Sequence, residues 1–207
     1  MTLQPQKDSW EHAAHTIIKN FQRRSIDACY CPDSASALAK VKELLKEGST
    51  VTCGGSETLT QTGIMDLISQ GPYRFLNRKA PDVTYGQIVE ADYFLTSTNA
   101  FTLDGELINI DGSGNRVACL IHGPKEVIVV AGMNKMAANV EEGLRRVRLM
   151  ASPPNALRLG ISTPCTKTGV CGDCLSPDCI CCQTVITRKS RIPGRIKVIL
   201  VGEPLGY

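Results

Sequence analysis

Residues 126–132 read EVIVVAG, with no polar side chain after the glutamate. A strand with one wet face alternates polar and apolar positions. One that is apolar on both faces needs cover on both, as the inner strands of a parallel sheet have. ADYFLTST (91–98), ending at Asn99, and the apolar run of RIKVILVGEPLGY (195–207) repeat the pattern. Stretches of helical periodicity lie between such runs, and this alternation implies an α/β fold with a mostly parallel sheet flanked by helices.

The first helix is marked by Trp10, Ala13, Ala14, Ile17, Ile18 and Phe21, with Asp8 or Ser9 as its expected cap. SIDACYC is a short extended piece. Asp33 or Ser34 then opens a second helix along Ala35, Leu38, Val41 and Leu45, with Gly48 closing it. A third passes through Ile64, Leu67 and Ile68, and YRFLN reads as a strand. Asp104-Gly105 between AFTL and ELINI signals a hairpin. VACLIHG suits a short helix, and Asn139–Met150 a longer one with Arg145, Arg146 and Arg148 at the negative end of its dipole. Pro153-Pro154 is expected to break the chain before a cysteine-rich segment inserted ahead of the last strand.

A net charge of +3 and 5% aromatic content give neither the basic face nor the stacking platform that nucleic-acid binding uses. No segment approaches the roughly 18 apolar residues of a membrane span, and the N-terminus has no signal-peptide core. The expected location is cytoplasmic, where thiols stay reduced and clustered cysteines serve metals or redox chemistry more often than disulfides. No G-x-G-x-x-G joins a strand to a helix, so no nicotinamide fingerprint is present.

Two loops suit an anion. After TVTC, Gly54 and Gly55 permit a tight turn, and Ser56 or Thr58 caps the next helix, whose free N–H groups suit a carboxylate or phosphate. Glu57 there reads either as a partner of the helix dipole or as a general base or nucleophile. The second site joins Thr98 and Asn99 to DGSGNR, with Gly112, Gly114, Asn115 and Arg116. The arginine is a bidentate carboxylate clamp or a solvated helix residue. Lys135, after the EVIVVAG strand, adds positive charge at a strand end or points to solvent. His122 in LIHGP reads as a structural histidine or as a proton-transfer group. Cys53 is a buried strand thiol or faces the ligand, and Cys29, Cys31 and Cys119 read as core or edge residues.

TPCTKTGVCGDCLSPDCICCQT, residues 163–184, holds Cys165, Cys171, Cys174, Cys179, Cys181 and Cys182. Cys171-x₂-Cys174 lets two thiolates converge from one tight turn. With Cys165 the pattern is C-x₅-C-x₂-C, followed by three choices of fourth ligand. Four thiolates suit zinc or an iron–sulfur cluster, which spacing alone does not separate. The basic run Arg188, Lys189, Arg191, Arg195 and Lys197 is a solvated loop or a docking surface for an acidic redox protein.

TCGGSETL, ADYFLTSTNAFTLDGELINIDGSGNRVA, VIVVAGMNKMAANVEEGLRRVR and PCTKTGVCGDCLSP, with the ending VILVGEPLGY, occur in an order that resembles the LUD (lactate-utilisation, DUF162) family from about Trp10 to Tyr207. The resemblance implies one domain over 1–207, with a fold similar to the ribose-5-phosphate isomerase and CoA-transferase group. It implies a ligand cleft at the strand ends, near 54–58, 98–99 and 112–116. It implies a role in metabolism of a small, lactate-like organic acid, as an iron–sulfur oxidoreductase component or lyase. A non-catalytic zinc-bearing subunit and a metal-independent isomerase, lyase or acyl-transfer enzyme are the alternatives. The family segment favours Cys181 beside Cys165, Cys171 and Cys174, and a [4Fe–4S] cluster over zinc. The expected partners are a small anionic substrate and redox proteins, not nucleic acid or membrane, with homodimerisation left open.

Overall fold

The computed structural model describes residues 2–207. Its helices are α1 (Gln4–Arg23), α2 (Ser34–Leu44), α3 (Glu57–Gln61), α4 (Ile64–Gln70), α5 (Tyr85–Val89), α6 (Asn115–Ile121), α7 (Val140–Arg146), α8 (Ser152–Leu159) and α9 (Pro164–Thr168). Its strands are β1 (Asp27–Cys31), β2 (Thr50–Cys53), β3 (Arg74–Leu76), β4 (Tyr93–Thr96), β5 (Ala100–Thr102), β6 (Leu107–Asp111), β7 (Glu126–Gly132), β8 (Met136–Ala137), β9 (Gln183–Thr187) and β10 (Ile196–Val201).

Six strands form one sheet in the order β1-β10-β7-β4-β2-β3, every pair parallel. β7 is central, and its period of two divides its side chains between two cores. Val127, Val129 and Ala131 pack with Trp10, Ala14, Ile17 and Phe21 of α1 and with Cys119 and Leu120 of α6. Ile128 and Val130 pack with Ala37 and Val41 of α2 and with Leu59, Ile64 and Ile68 of α3 and α4. The apolar run thus meets helices on both faces, as its composition requires.

The expected Asp104-Gly105 hairpin forms, with β5 antiparallel to β6, but it belongs to a second sheet, β8-β5-β6-β9. β9 follows the cysteine segment, and the sequence reading had no strand there. Its pattern of exposed and half-buried residues gives a weak apolar signal. A third core joins this sheet to the helices after it: Ala100, Ile108 and Ile110 against Val147 and Ala151.

Three boundaries differ from expectation. α1 begins at Gln4, not at the Asp8 or Ser9 cap, because Pro5 presets φ in an earlier first turn. α2 has the expected Asp33 cap, as a full capping box, but ends at Leu44. Gly48, with φ +74, turns the chain further on. The chain does not break at Pro153-Pro154. A π-helical turn over Val147–Ala151 joins α7 to α8, and both prolines sit in the first turn of α8, where a missing N–H removes no needed bond.

A cationic strand-end cleft and a cysteine-lined cavity

Because the main-sheet strands run one way, β2, β4 and β7 end on a common edge at Cys53, Thr96 and Gly132. A tight turn after β7 carries Lys135 back over this edge, where the residue is 4% exposed. Its Nζ donates to Thr58 Oγ1 and Ser97 Oγ, each at 2.9 Å. Burial, with the guanidinium groups of Arg146 and Arg116 nearby, brings its pKa down to about 7. No carboxylate pairs with it among the described residues. Thr58 therefore serves the lysine, while Ser56 caps α3 by accepting from Leu59 N–H.

Arg116 lies in the first turn of α6, with 14% of its side chain exposed. Its guanidinium donates to Asn99 Oδ1 (3.1 Å), to the Ile110 carbonyl (2.8 Å) and to Asn109 Oδ1, and pairs with Asp111 at 3.4 Å. So many internal partners make it a fixed positive charge, neither the free bidentate clamp nor the solvated helix residue that the sequence allows. Gly54 makes room: a Cβ there would lie 3.1 Å from the Arg116 stem. Gly114, with φ +82, caps α6, and its N–H donates to the Asp111 carboxylate.

Three residues missed in the sequence complete this cleft. Arg146 turns inward from α7 and donates to the carbonyls of Asn134 (3.0 Å) and Asn99 (2.7 Å). Only its place next to buried Val147 and one turn from buried Gly143 marks it off from Arg145 and Arg148. Arg78 follows β3, is half-buried, and lies close enough to lower Arg116 and to offset part of the rise that burial causes in the Cys53 thiol. It makes no ion pair or hydrogen bond among the described residues. Asn109, fully buried on β6, leaves its Nδ2 donor without a partner beside Arg116. The segment 203–207 covers the group. Asn134 Oδ1 accepts from Leu205 N–H at 3.1 Å and Gln61 Oε1 from Gly206 N–H at 2.7 Å. A Cβ on Gly206 would lie 3.1 Å from Lys135 Nζ.

The structure does not bring His122 to this group. It follows α6, whose axis carries the chain from Arg116 back to the start of the sheet. There Lys125 N–H bonds to Ala91, just before β4. The histidine is exposed at that opposite edge, so it is not a proton-transfer residue for the cleft. Glu57 stays at the cleft's rim, paired with Arg158 at 3.3 Å. Cys53 turns away, its Sγ 3.7 Å from Met65 Sδ, and burial pushes its thiol up to about 11.

All six late cysteines line one cavity of about 350 Å³, bounded by Ile110 of β6, Thr184 of β9 and Ser152 of α8. Cys181 is half-buried and donates to Ser152 Oγ at 3.3 Å. Burial raises its thiol, as do Cys171, Cys165 and Cys174 beside it. These four are the set that the family resemblance implies. Cys182 is exposed, its thiol bonded to the Cys179 carbonyl. Among the described residues no three metal-ligating side chains converge on a single point. The cavity lies across β6 from Arg116: Ile110 faces the cysteines, and Asn109, one residue earlier, faces the guanidinium. Of the late basic run, Arg195 is buried and caps α6 by donating to the carbonyls of Cys119, Leu120 and Pro124, and Lys197 pairs with Glu126. Neither is free to dock a partner.

The profile of the LUD domain matches residues 14–201. The chain belongs to the LUD-domain family. A crystal structure of a DUF162 family protein from Deinococcus radiodurans superposes on this LUD-domain protein with a TM-score of 0.56 at 16% identity, over 94% of this chain and 98% of that one. Ribose 5-phosphate isomerase from Plasmodium falciparum matches 51% of the LUD-domain chain and 52% of its own, at 16% identity and a TM-score of 0.35. A search of curated protein sequences finds no significant match. No helix among the described residues of this LUD-domain protein is long and apolar enough to cross a membrane.

Proposed function

We propose that this protein acts on a small carboxylic acid of the lactate and pyruvate class, bound at the strand ends and served by a cysteine-ligated iron–sulfur cluster in the neighbouring cavity. The observation that carries the reading is the gathering of Lys135, Arg116, Arg146 and Arg78 at one sheet edge, where, among the described residues, the only carboxylate bonded to any of them is Asp111. So much buried positive charge is unfavourable without an anion and favourable with one. Arg78 and Lys135 have capacity left for direct contact, Arg116 and Arg146 supply field, and Asn109 Nδ2 offers a buried donor.

The cysteine cavity fits a cluster better than a single ion. Zinc draws its sulfurs to about 2.3 Å from one centre. A cluster spreads its thiolates over several irons, which suits four mutually influencing thiols around an open volume. Cys165, Cys171, Cys174 and Cys181 would hold it, and when bound it supplies one-electron transfer. The chain's own residues bind and orient the acid, and the cover of 203–207 keeps water from it.

Calorimetric titration with pyruvate and L-lactate tests the cleft. Both acids bind the wild type, and Arg78→Met and Lys135→Met each weaken binding at least about tenfold, the scale of one lost charge-assisted hydrogen bond. Absence of binding to the wild type, or equal binding by both variants, refutes it.

A further inference from the structure

A buried ammonium has three N–H donors to place, and the surroundings of Lys135 offer two acceptors, Thr58 Oγ1 and Ser97 Oγ. A neutral amine has two donors and one lone pair. The two hydroxyls then use both donors, and nothing buried goes unpaired. Gly206 of the cover packs directly on Nζ, where a Cβ would lie 3.1 Å away, so a substrate reaches the amine from that side once the cover moves. The lysine is anchored in a short turn after the central strand, and its cationic neighbours disfavour a further positive charge. Cations that repel an ammonium also hold the carboxylate of an incoming acid.

Resting on the carboxylate reading above, we propose that Lys135 is a covalent nucleophile that forms an imine with the 2-carbonyl of a 2-oxo acid. Nζ attacks the carbonyl carbon and the C=O π pair moves to oxygen. That oxygen takes up the proton released by nitrogen. The resulting hydroxyl takes a second proton and leaves as water, and the nitrogen lone pair closes the C=N bond. Thr58 and Ser97, each in hydrogen-bond contact with Nζ, relay the protons. No oxidant or reductant is consumed, and the imine is the electron sink that makes bonds at the adjacent carbons labile. Arg78 orients the substrate carboxylate, and Arg116, its donors held by internal partners, adds field. Entry requires the 203–207 segment to lift, breaking the bonds from Leu205 to Asn134 and from Gly206 to Gln61.

The test is reductive trapping on the full-length protein. Pyruvate and sodium cyanoborohydride are added at neutral pH, and adducts are located by intact mass and peptide mapping. The expected result is one adduct, on Lys135, at least about tenfold above any exposed lysine, because only a depressed amine is substantially neutral there. L-lactate, which has no carbonyl, gives none, and Lys135→Arg abolishes the adduct with pyruvate. If calorimetry shows pyruvate binding while trapping leaves Lys135 unmodified, or labels surface lysines equally, the imine is refuted and the cleft stands. If neither acid binds, the cleft reading falls with it. The wild-type outcome decides even where the variant folds poorly.

Discussion

Replacing Lys135 by Met should stabilise the fold at neutral pH and lose the function. The ordinary lysine pKa is 10.5, and burial among guanidinium groups brings it to about 7. In this lowered case the unfolded chain takes up the proton before the folded one does, so folding loses stability as pH falls from 10.5 toward 7 and loses no more below that. The difference of 3.5 units corresponds to about 5 kcal/mol well below pH 7, at about 1.4 kcal/mol per unit, and to about 4 kcal/mol at pH 7, where the folded amine is half protonated. At pH 9 only 1.5 of those units remain, about 2 kcal/mol. Methionine fills a similar volume and carries no charge. It forfeits two hydrogen bonds, to Thr58 and Ser97, at about 1 kcal/mol each. Lys135→Met should therefore exceed the wild type by about 2 kcal/mol at pH 7 and match it near pH 9. Urea denaturation of both proteins at the two pH values measures this. A variant that is less stable by the same amount at both would refute the reasoning, because the lysine would then be charged in the fold throughout.

Gly143→Ala places a methyl against Ile108 Cδ1 where α7 crosses the second sheet, and overpacking there should lower stability by about 1–3 kcal/mol in thermal denaturation. Anaerobic reconstitution with iron and sulfide should give a coloured protein. Cys181→Ser should lose most of its iron and Cys182→Ser should keep it, as read by iron analysis, because Cys181 is half-buried among the other three ligands and Cys182 points outward. Asp92 is held down to about 2 by hydrogen bonds from Lys125 and from the Thr50 N–H and hydroxyl. The lowered value means that its contribution is present above the ordinary carboxylate pKa of 3.8 and is lost as pH falls toward 2. With 32% of the side chain exposed, about 1–2 kcal/mol of acid stability should disappear in Asp92→Asn, measured by denaturation at pH 5 and pH 2.5.

The main sheet was legible because its strands announce themselves. Residues 126–132 form a strand with the expected boundaries, and Asp33 and Ser56 cap the helices they precede. The second sheet was only half legible. Its hairpin has a turn signature, but β9 takes its place through pairing with β6, not through its own composition. The cleft divides in the same way. Gly54, Asn99 and Lys135 sit in turns after strands, and Arg116 in the first turn of the helix that follows β6, where the architecture puts ligands. Arg146 reads as one of three helix-end arginines, and only the packing of α7 selects it. His122 misled because a short helix after a glycine loop carries its far end to the wrong edge of the sheet, a length the sequence does not announce. Arg116 misled in the other direction. It lies where expected, but its donors are spent on Asn99, Asn109, Ile110 and Asp111.

Strand β6 joins the two sites. Its alternation turns Ile108 and Ile110 toward the core beneath the cysteines, and Asn109 and Asp111 toward Arg116. Asp111 serves both sides: its carboxylate pairs with Arg116, and its carbonyl accepts from Cys182 N–H at 3.0 Å. Next to it, Gly112 lets Ile180 approach so closely that a Cβ would lie 3.3 Å from the isoleucine Cα. A shift of the cysteine segment therefore moves Asp111, and with it the partner that holds Arg116. On the proposed function, thiolate charge behind β6 and cationic charge in front of it are separated by one strand, in an interior where such interactions are weakly screened. Gathering anionic sulfur behind β6 favours the cations in front of it, and an acid bound to those cations offsets that gain. On the proposed function, occupancy of the cavity and affinity of the cleft are linked, and by linkage each changes the other by the same factor.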